Sequence, residues 1–99
     1  MIVVSGNAKF APGALQKIRK EMEAMITASK AEAGCIDYAY GIDVSDPDTL
    51  LVVEYWEDWA ALDAHFKEPH MATWRAALGA AGVLSRDIKA AEMDGVRAL

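Results

Sequence analysis

The sequence predicts a single α+β domain: a four-stranded antiparallel sheet with helices on one face. The first observation behind this is the order of hydrophobic periods along the chain. It reads two, 3.6, two, two, 3.6 and again a weak two, giving strand, helix, strand, strand, helix, strand, the order of the split βαβ or ferredoxin-like βαββαβ unit. The second is that Leu50, Val52 and Trp56 alternate with Leu51, Val53 and Tyr55, so the third strand is largely apolar on both faces. A strand covered on one side alternates more cleanly than this. The third is composition: 99 residues make one small domain, yet 54% of them are hydrophobic. That exceeds the roughly 45–50% of an average globular chain. There is more apolar surface than one small core needs, and a second copy packed sheet to sheet is the simplest cover, so a homodimer is expected.

Each element has its own signal. Ile2 to Lys9 alternates, with Ile2, Val4 and Ala8 on one face and Val3, Ser5 and Asn7 on the other. Pro12 and Gly13 punctuate a turn. From Ala14 to Lys30, Leu15, Ile18, Met22, Met25 and Ile26 recur at three- and four-residue steps, the stripe of an amphipathic helix that starts next to Pro12. Gly34 is a stop signal, and Cys35 to Ile42 is rich in aromatic and β-branched residues, with Ile36, Tyr38, Tyr40 and Ile42 expected on one face. The stretch from Asp43 to Thr49 has turn composition and joins this strand to Leu50–Glu57 as a hairpin. Asp58 is a suitable N-cap for a helix through Lys67, Pro69 forces a break, and a second short helix runs from His70 to the glycines at 79 and 82. Val83 to Met93 is the fourth strand.

Charge and cysteine content exclude several classes of partner. The net charge of −5 is dispersed, with no basic cluster, which argues against nucleic acid and against anionic membrane surfaces. The amino terminus lacks the charged leader of a secretory signal, and a single cysteine, Cys35, fits a reducing cytoplasm. No structural-zinc spacing occurs. His65 and His70 are five apart with Pro69 between them and no HExxH context, so no metal site is expected.

Chemistry-bearing residues concentrate between Leu50 and Trp74. Gly34-Cys35, Tyr38, Glu54, Trp56, Leu62, Ala64-His65 and Pro69-His70-Met71, in this order and spacing, resemble the antibiotic biosynthesis monooxygenase superfamily of dimeric α/β-barrels, and EYWEDWAALDAHFKEPHM is the most specific part. The resemblance covers nearly the whole chain and is nearest to the quinol-oxidising branch. It implies a homodimer and cofactor-independent oxidation of a small electron-rich aromatic by molecular oxygen. It also admits a non-oxidative isomerase, or a dimeric module that binds a small molecule without turnover. The haem-degrading branch combines an asparagine on the first strand with a tryptophan and a histidine on the second helical segment. Asn7 matches the asparagine, but His65 stands at the tryptophan's place and Arg75 near that of the histidine. The axial ligand is therefore missing from the pattern.

Within this framework His65 is the candidate base, because imidazole titrates near neutrality, and Asn7 is a candidate donor to a developing oxyanion. Arg75 and His70 are candidates for holding substrate oxygens, and Trp56, Trp74 and Tyr38 are candidate aromatic walls. Glu54 interrupts an apolar strand, so its carboxylate needs either a partner or a raised pKa. Each has a structural alternative: a histidine that only bonds within the fold, an ion pair between Glu54 and Arg75 or Arg86, an aromatic that is simply core. Cys35 reads as a small buried hydrophobe, with no cation beside it to activate a thiolate.

Overall fold

The structure, a computed structural model, describes residues 1–99. The elements are β1 (Ile2–Phe10), α1 (Ala14–Lys17), α2 (Arg19–Lys30), β2 (Cys35–Asp43), β3 (Asp46–Trp56), α3 (Trp59–His65), α4 (Pro69–Ala81) and β4 (Val83–Glu92). The four strands form one antiparallel sheet in the order β2-β3-β1-β4. This is the ferredoxin-like arrangement that the sequence predicts, with each helix of the simple unit divided in two.

Pleating decides which residues reach the helices. Ile2, Val4, Ala8 and Phe10 of β1 are buried beneath them, and the residues opposite on β3, Trp56, Glu54 and Leu50, share that inner face. Tyr38 pairs with Glu54 and Tyr40 with Val52, so β2 adds its tyrosines to the same face. Leu15 of α1, Met22 and Met25 of α2, Leu62 of α3 and Trp74 of α4 close the core from above. The outer face carries Val3, Ser5 and Asn7 of β1, Leu51, Val53 and Tyr55 of β3, and Ala39 of β2, and no helix covers it.

The elements depart from the sequence expectations in four places. The helix expected over 14–30 is broken at Ile18, whose φ of −109° leaves the helical region. Leu15, Ile18 and Met22 are buried on both sides of the break, so the hydrophobic period runs through it unchanged. Pro69 is the first residue of α4 instead of preceding it, a position where the missing N–H costs no helical hydrogen bond. Strand β3 starts at Asp46, so the hairpin turn shrinks to Val44 and Ser45. The residues that read as turn satisfy one another there: Ser45 N and Oγ donate to Asp43 Oδ1 at 2.9 and 2.7 Å, and Thr49 Oγ1 donates to Asp46 Oδ2 at 2.8 Å. Finally, Cys35 pairs with Trp56 while Asp37 pairs with Tyr55, so Ile36 is the extra residue of a β-bulge. It is exposed, not on the face of Tyr38 and Tyr40.

The cap at Asp58 is as expected, its Oδ1 accepting from Ala61 N at 2.8 Å. Two further contacts seat α3. Trp59 Nε1 donates to Glu92 Oε1 of β4 at 2.7 Å, and Glu57 N donates to Gly34 O at 2.9 Å. No helix is long and apolar enough to cross a membrane.

Candidate active site

A cavity of about 1010 Å³ lies between the inner face of the sheet and α3 and α4. It exists because β4 is an edge strand on which every residue is exposed, so the helices pack over β2, β3 and β1 and leave the sheet open beside them. Glu54, Tyr38, His65, Trp74 and Arg75 all line it, and most of its other lining residues are hydrophobic.

Alternation along β3 sends Val52, Glu54 and Trp56 upward, and α3 ends with His65 directly over them. The His65 ring centroid is 4.6 Å from that of Trp56 and 5.7 Å from that of Tyr38, and the residue is buried. Trp56, wholly buried, donates through Nε1 to Glu54 Oε1 at 2.9 Å. The Tyr38 and Tyr40 hydroxyls bond each other at 2.7 Å, and Trp74 stacks on Tyr40 at 5.5 Å with 22° between the planes. A continuous aromatic layer therefore runs from Trp56 through the tyrosines to Trp74, and Tyr38 and Trp74 are its members that face the cavity.

Glu32, in the connection after α2, completes the arrangement. Its Oε2 lies 2.5 Å from His65 Nδ1 and 2.7 Å from His70 Nε2, with the Glu32 side chain only 8% exposed. A carboxylate offers only acceptors, so each imidazole presents an N–H to it. For His65 this places the proton on Nδ1 and leaves the lone pair on Nε2, on a ring that lines the cavity. A carboxylate that orients an imidazole in this way is the supporting half of a general-base pair.

Burial sets the electrostatics. Desolvation pushes the Glu54 carboxyl up to about 7, against the opposing hydrogen bonds from Trp56 and Tyr38. Near neutrality it is thus partly a neutral acid. Desolvation also lowers the pKa of His65, opposed by its bond to Glu32 and by the Glu32 charge, which favours the neutral imidazole. Burial raises both Tyr38 and Tyr40, which stay protonated hydrogen-bond donors. Cys35 is pushed up to about 11 by burial and by Glu32, which makes it a poor nucleophile.

The sequence-derived candidates divide into three groups. His65, Glu54, Tyr38 and Trp74 come together around the cavity, and Arg75 reaches its rim, where its guanidinium donates to Phe66 O at 3.0 Å. No ion pair joins Glu54 to Arg75 or Arg86; the carboxyl is held by Trp56 instead. Trp56 and His70 stand behind the lining, the first under His65 and Glu54, the second on Glu32. Asn7 is not brought to the site at all. It pairs with Leu51 and Asp87 on the outer face, exposed, because the same alternation that buries Ala8 turns Asn7 the other way.

Two results lie outside those candidates. Glu32 carries no periodic signal: it sits in a four-residue connection, 33 residues from His65. An acidic residue just ahead of the Gly34 stop was the sole mark it left in the sequence. The expectation of no metal site rested on the spacing of the two histidines, whereas the fold adds Glu32 as a third donor, with all three donor atoms within 4.8 Å of one another.

Comparison with known proteins agrees with this architecture. The family profile described as "Antibiotic biosynthesis monooxygenase" matches residues 1–77. The chain belongs to the antibiotic biosynthesis monooxygenase family. Among its relatives, "Putative monooxygenase Rv0793" of Mycobacterium tuberculosis is 35% identical over 68 residues, 69% of this chain and 66% of that protein. "Probable quinol monooxygenase YgiN" of Escherichia coli is 27% identical over 88 residues, 79% of this chain and 85% of that one. The chain spans about half of a Synechocystis relative, 47% of its length. A crystal structure titled as an antibiotic biosynthesis monooxygenase from Deinococcus radiodurans superposes with a TM-score of 0.91 at 23% identity, covering 100% of this chain and 98% of that one, a likeness of fold.

Proposed function

We propose that this family member is a homodimeric, cofactor-independent monooxygenase that oxidises a small electron-rich aromatic, a hydroquinone or polyketide-like phenol, with molecular oxygen. The observation that carries this reading is the pairing, on one largely apolar cavity, of His65 anchored through Nδ1 and Glu54 with a pKa near neutrality. The names of relatives such as YgiN lend it support.

The chemistry follows from those groups. His65 Nε2 accepts the phenolic proton, and the resulting phenolate is the electron donor that reduces oxygen. One oxygen atom bonds to a ring carbon and the other leaves as water, so hydroquinone plus O₂ gives hydroxyquinone plus water, with four electrons passing from the ring to oxygen. Glu54 and the imidazolium of His65 are the two groups able to return protons to the departing oxygen. Trp74 and Tyr38 hold the ring flat, and Arg75 at the rim attracts an electron-rich substituent. Asn7 has no part in this scheme.

Oxygen uptake by the purified protein tests it, measured with chelator present and no added cofactor over a panel of hydroquinones and anthrone-like phenols, after subtracting autoxidation. Enzyme-dependent uptake that disappears in His65→Ala supports the reading. Uptake that persists unchanged in His65→Ala removes His65 as the base. No uptake across the panel removes the oxygenase and leaves an isomerase or a binding module.

A further inference from the structure

We propose that Glu32, His65 and His70 form a binding site for a divalent transition-metal ion of the Zn²⁺ class, and that the bound ion switches His65 from proton acceptor to proton donor toward the cavity. The second half rests on the proposed role of His65 as a base; the site itself does not.

The three ligands come from three segments: the connection after α2, the last residue of α3 and the second residue of α4. Their donor atoms, Glu32 Oε2, His65 Nδ1 and His70 Nε2, lie within 4.8 Å of one another. This is not a solvated surface cluster, since the Glu32 and His65 side chains are 8% and 2% exposed. His70, at 22%, is the side from which an ion and a completing water can enter. Two imidazoles and one carboxylate select borderline ions over calcium or magnesium, and three protein ligands plus a water is a common zinc arrangement. The observed separations of 2.5 and 2.7 Å are those of N–H groups donating to a carboxylate. Tetrahedral coordination with bonds of about 2.0–2.2 Å sets donor atoms roughly 3.3–3.6 Å apart, so the Glu32 oxygen has to withdraw by about 0.6–1.1 Å from each imidazole nitrogen, a movement that rotation of the Glu32 side chain can supply.

Coordination has a consequence on the far side of the ring. In the metal-free protein the single proton of neutral His65 is on Nδ1, facing Glu32. When Nδ1 gives its lone pair to the ion, that proton leaves Nδ1 and a proton occupies Nε2, with no net change for a neutral imidazole. His70 changes in the mirror sense, its proton moving from Nε2 to Nδ1. Nε2 of His65 then donates and no longer accepts. A metal ion held behind the imidazole thereby inhibits proton abstraction without entering the substrate's space.

The test uses the whole protein with Zn²⁺ and with Co²⁺ as a visible probe. Equilibrium dialysis should give one ion per chain, and Co²⁺ should show the d–d absorption of nitrogen–oxygen coordination. Affinity should fall at least about tenfold in Glu32→Gln and in His70→Ala. Less than one ion per chain, or undiminished binding in both variants, overturns the site; circular dichroism of each variant checks that it is folded. Nitrogen-15 NMR of the histidine-labelled protein reads the tautomer without turnover: Nδ1–H in metal-free His65, Nε2–H after Zn²⁺. An unchanged tautomer with the ion bound overturns the switch. Where oxygen uptake is found, Zn²⁺ should suppress it in the unaltered protein and, relative to its own metal-free rate, leave His70→Ala largely uninhibited. Absence of uptake counts against the oxygenase and leaves the dialysis and NMR results to decide the metal site.

Discussion

Glu32 serves two imidazoles through one oxygen, and its charge holds the His65 pKa up against burial. Glu32→Gln keeps the shape and removes the charge, so kcat/KM should fall by about 10–100-fold. The acid limb of the rate profile should move to lower pH, because the influence that raises the His65 pKa is gone. A purely structural role for Glu32 would leave the position of that limb unmoved. Glu54 gives a stability prediction of definite sign. Its carboxyl titrates at about 7 in the folded protein against an ordinary value of 4.5, so the folded state holds the proton more tightly. The resulting stabilisation is complete below about pH 4.5 and is lost as pH rises through 7. In Glu54→Gln that loss does not occur, so the melting temperature of the variant relative to the unaltered protein should rise from pH 5 to pH 8. Calorimetry across that range checks it, and a constant difference would mean that Glu54 is ionised throughout. His65, Glu54, Tyr38 and Trp74 were legible in the sequence because chemistry-bearing side chains stood out on periodic elements. Glu32 was not, because its partnership crosses 33 residues from a segment with no period. Asn7 was singled out by residue type, although its strand face, away from the cavity, was already readable.

At the scale of elements, the site depends on how α3 is seated. Gly34 has φ of 83°, and a Cβ there would lie 2.6 Å from Ala61 Cβ. The helix carrying His65 therefore rests on a bare glycine in the same connection that carries Glu32. Gly34→Ala should cost about 1–3 kcal/mol in chemical denaturation through the left-handed backbone alone, and more through the contact with α3. Turnover in the protein that still folds should fall as well, since pushing α3 away separates His65 from Glu32. An alanine variant as stable as the original would show that α3 can shift freely. The order of strands and helices follows the hydrophobic period, with bounds that shift by a few residues, but two irregularities were invisible. The break at Ile18 leaves the apolar stripe intact, so periodicity has nothing to register. The bulge at Ile36 depends on the register of β2 against β3, a relation between strands that neither strand encodes alone.

For the whole molecule, the decisive surface is the one the helices leave bare. Val3, Leu51, Val53, Tyr55 and Ala39 lie together on the outer face, flanked by the polar Ser5 and Asn7 and by the Asp87–Lys89 ion pair. An apolar patch on a sheet face that no helix covers suits an interface, and a two-fold axis through that face sets the patch against its own copy. The proposed dimer would account for the third strand's lack of alternation, since the helices bury one of its faces and a second copy would bury the other. Val53→Lys puts a charge in the middle of that face, where two-fold symmetry sets it near its own copy. Sedimentation or light scattering at micromolar concentration should then give the mass of two chains for the unaltered protein and of one for the variant. The cavity lies on the opposite side of the sheet, so a soluble Val53→Lys monomer should retain substrate binding to the extent that one chain builds the site alone. An unaltered protein that sediments as a monomer would leave the apolar outer face without the occupant proposed for it.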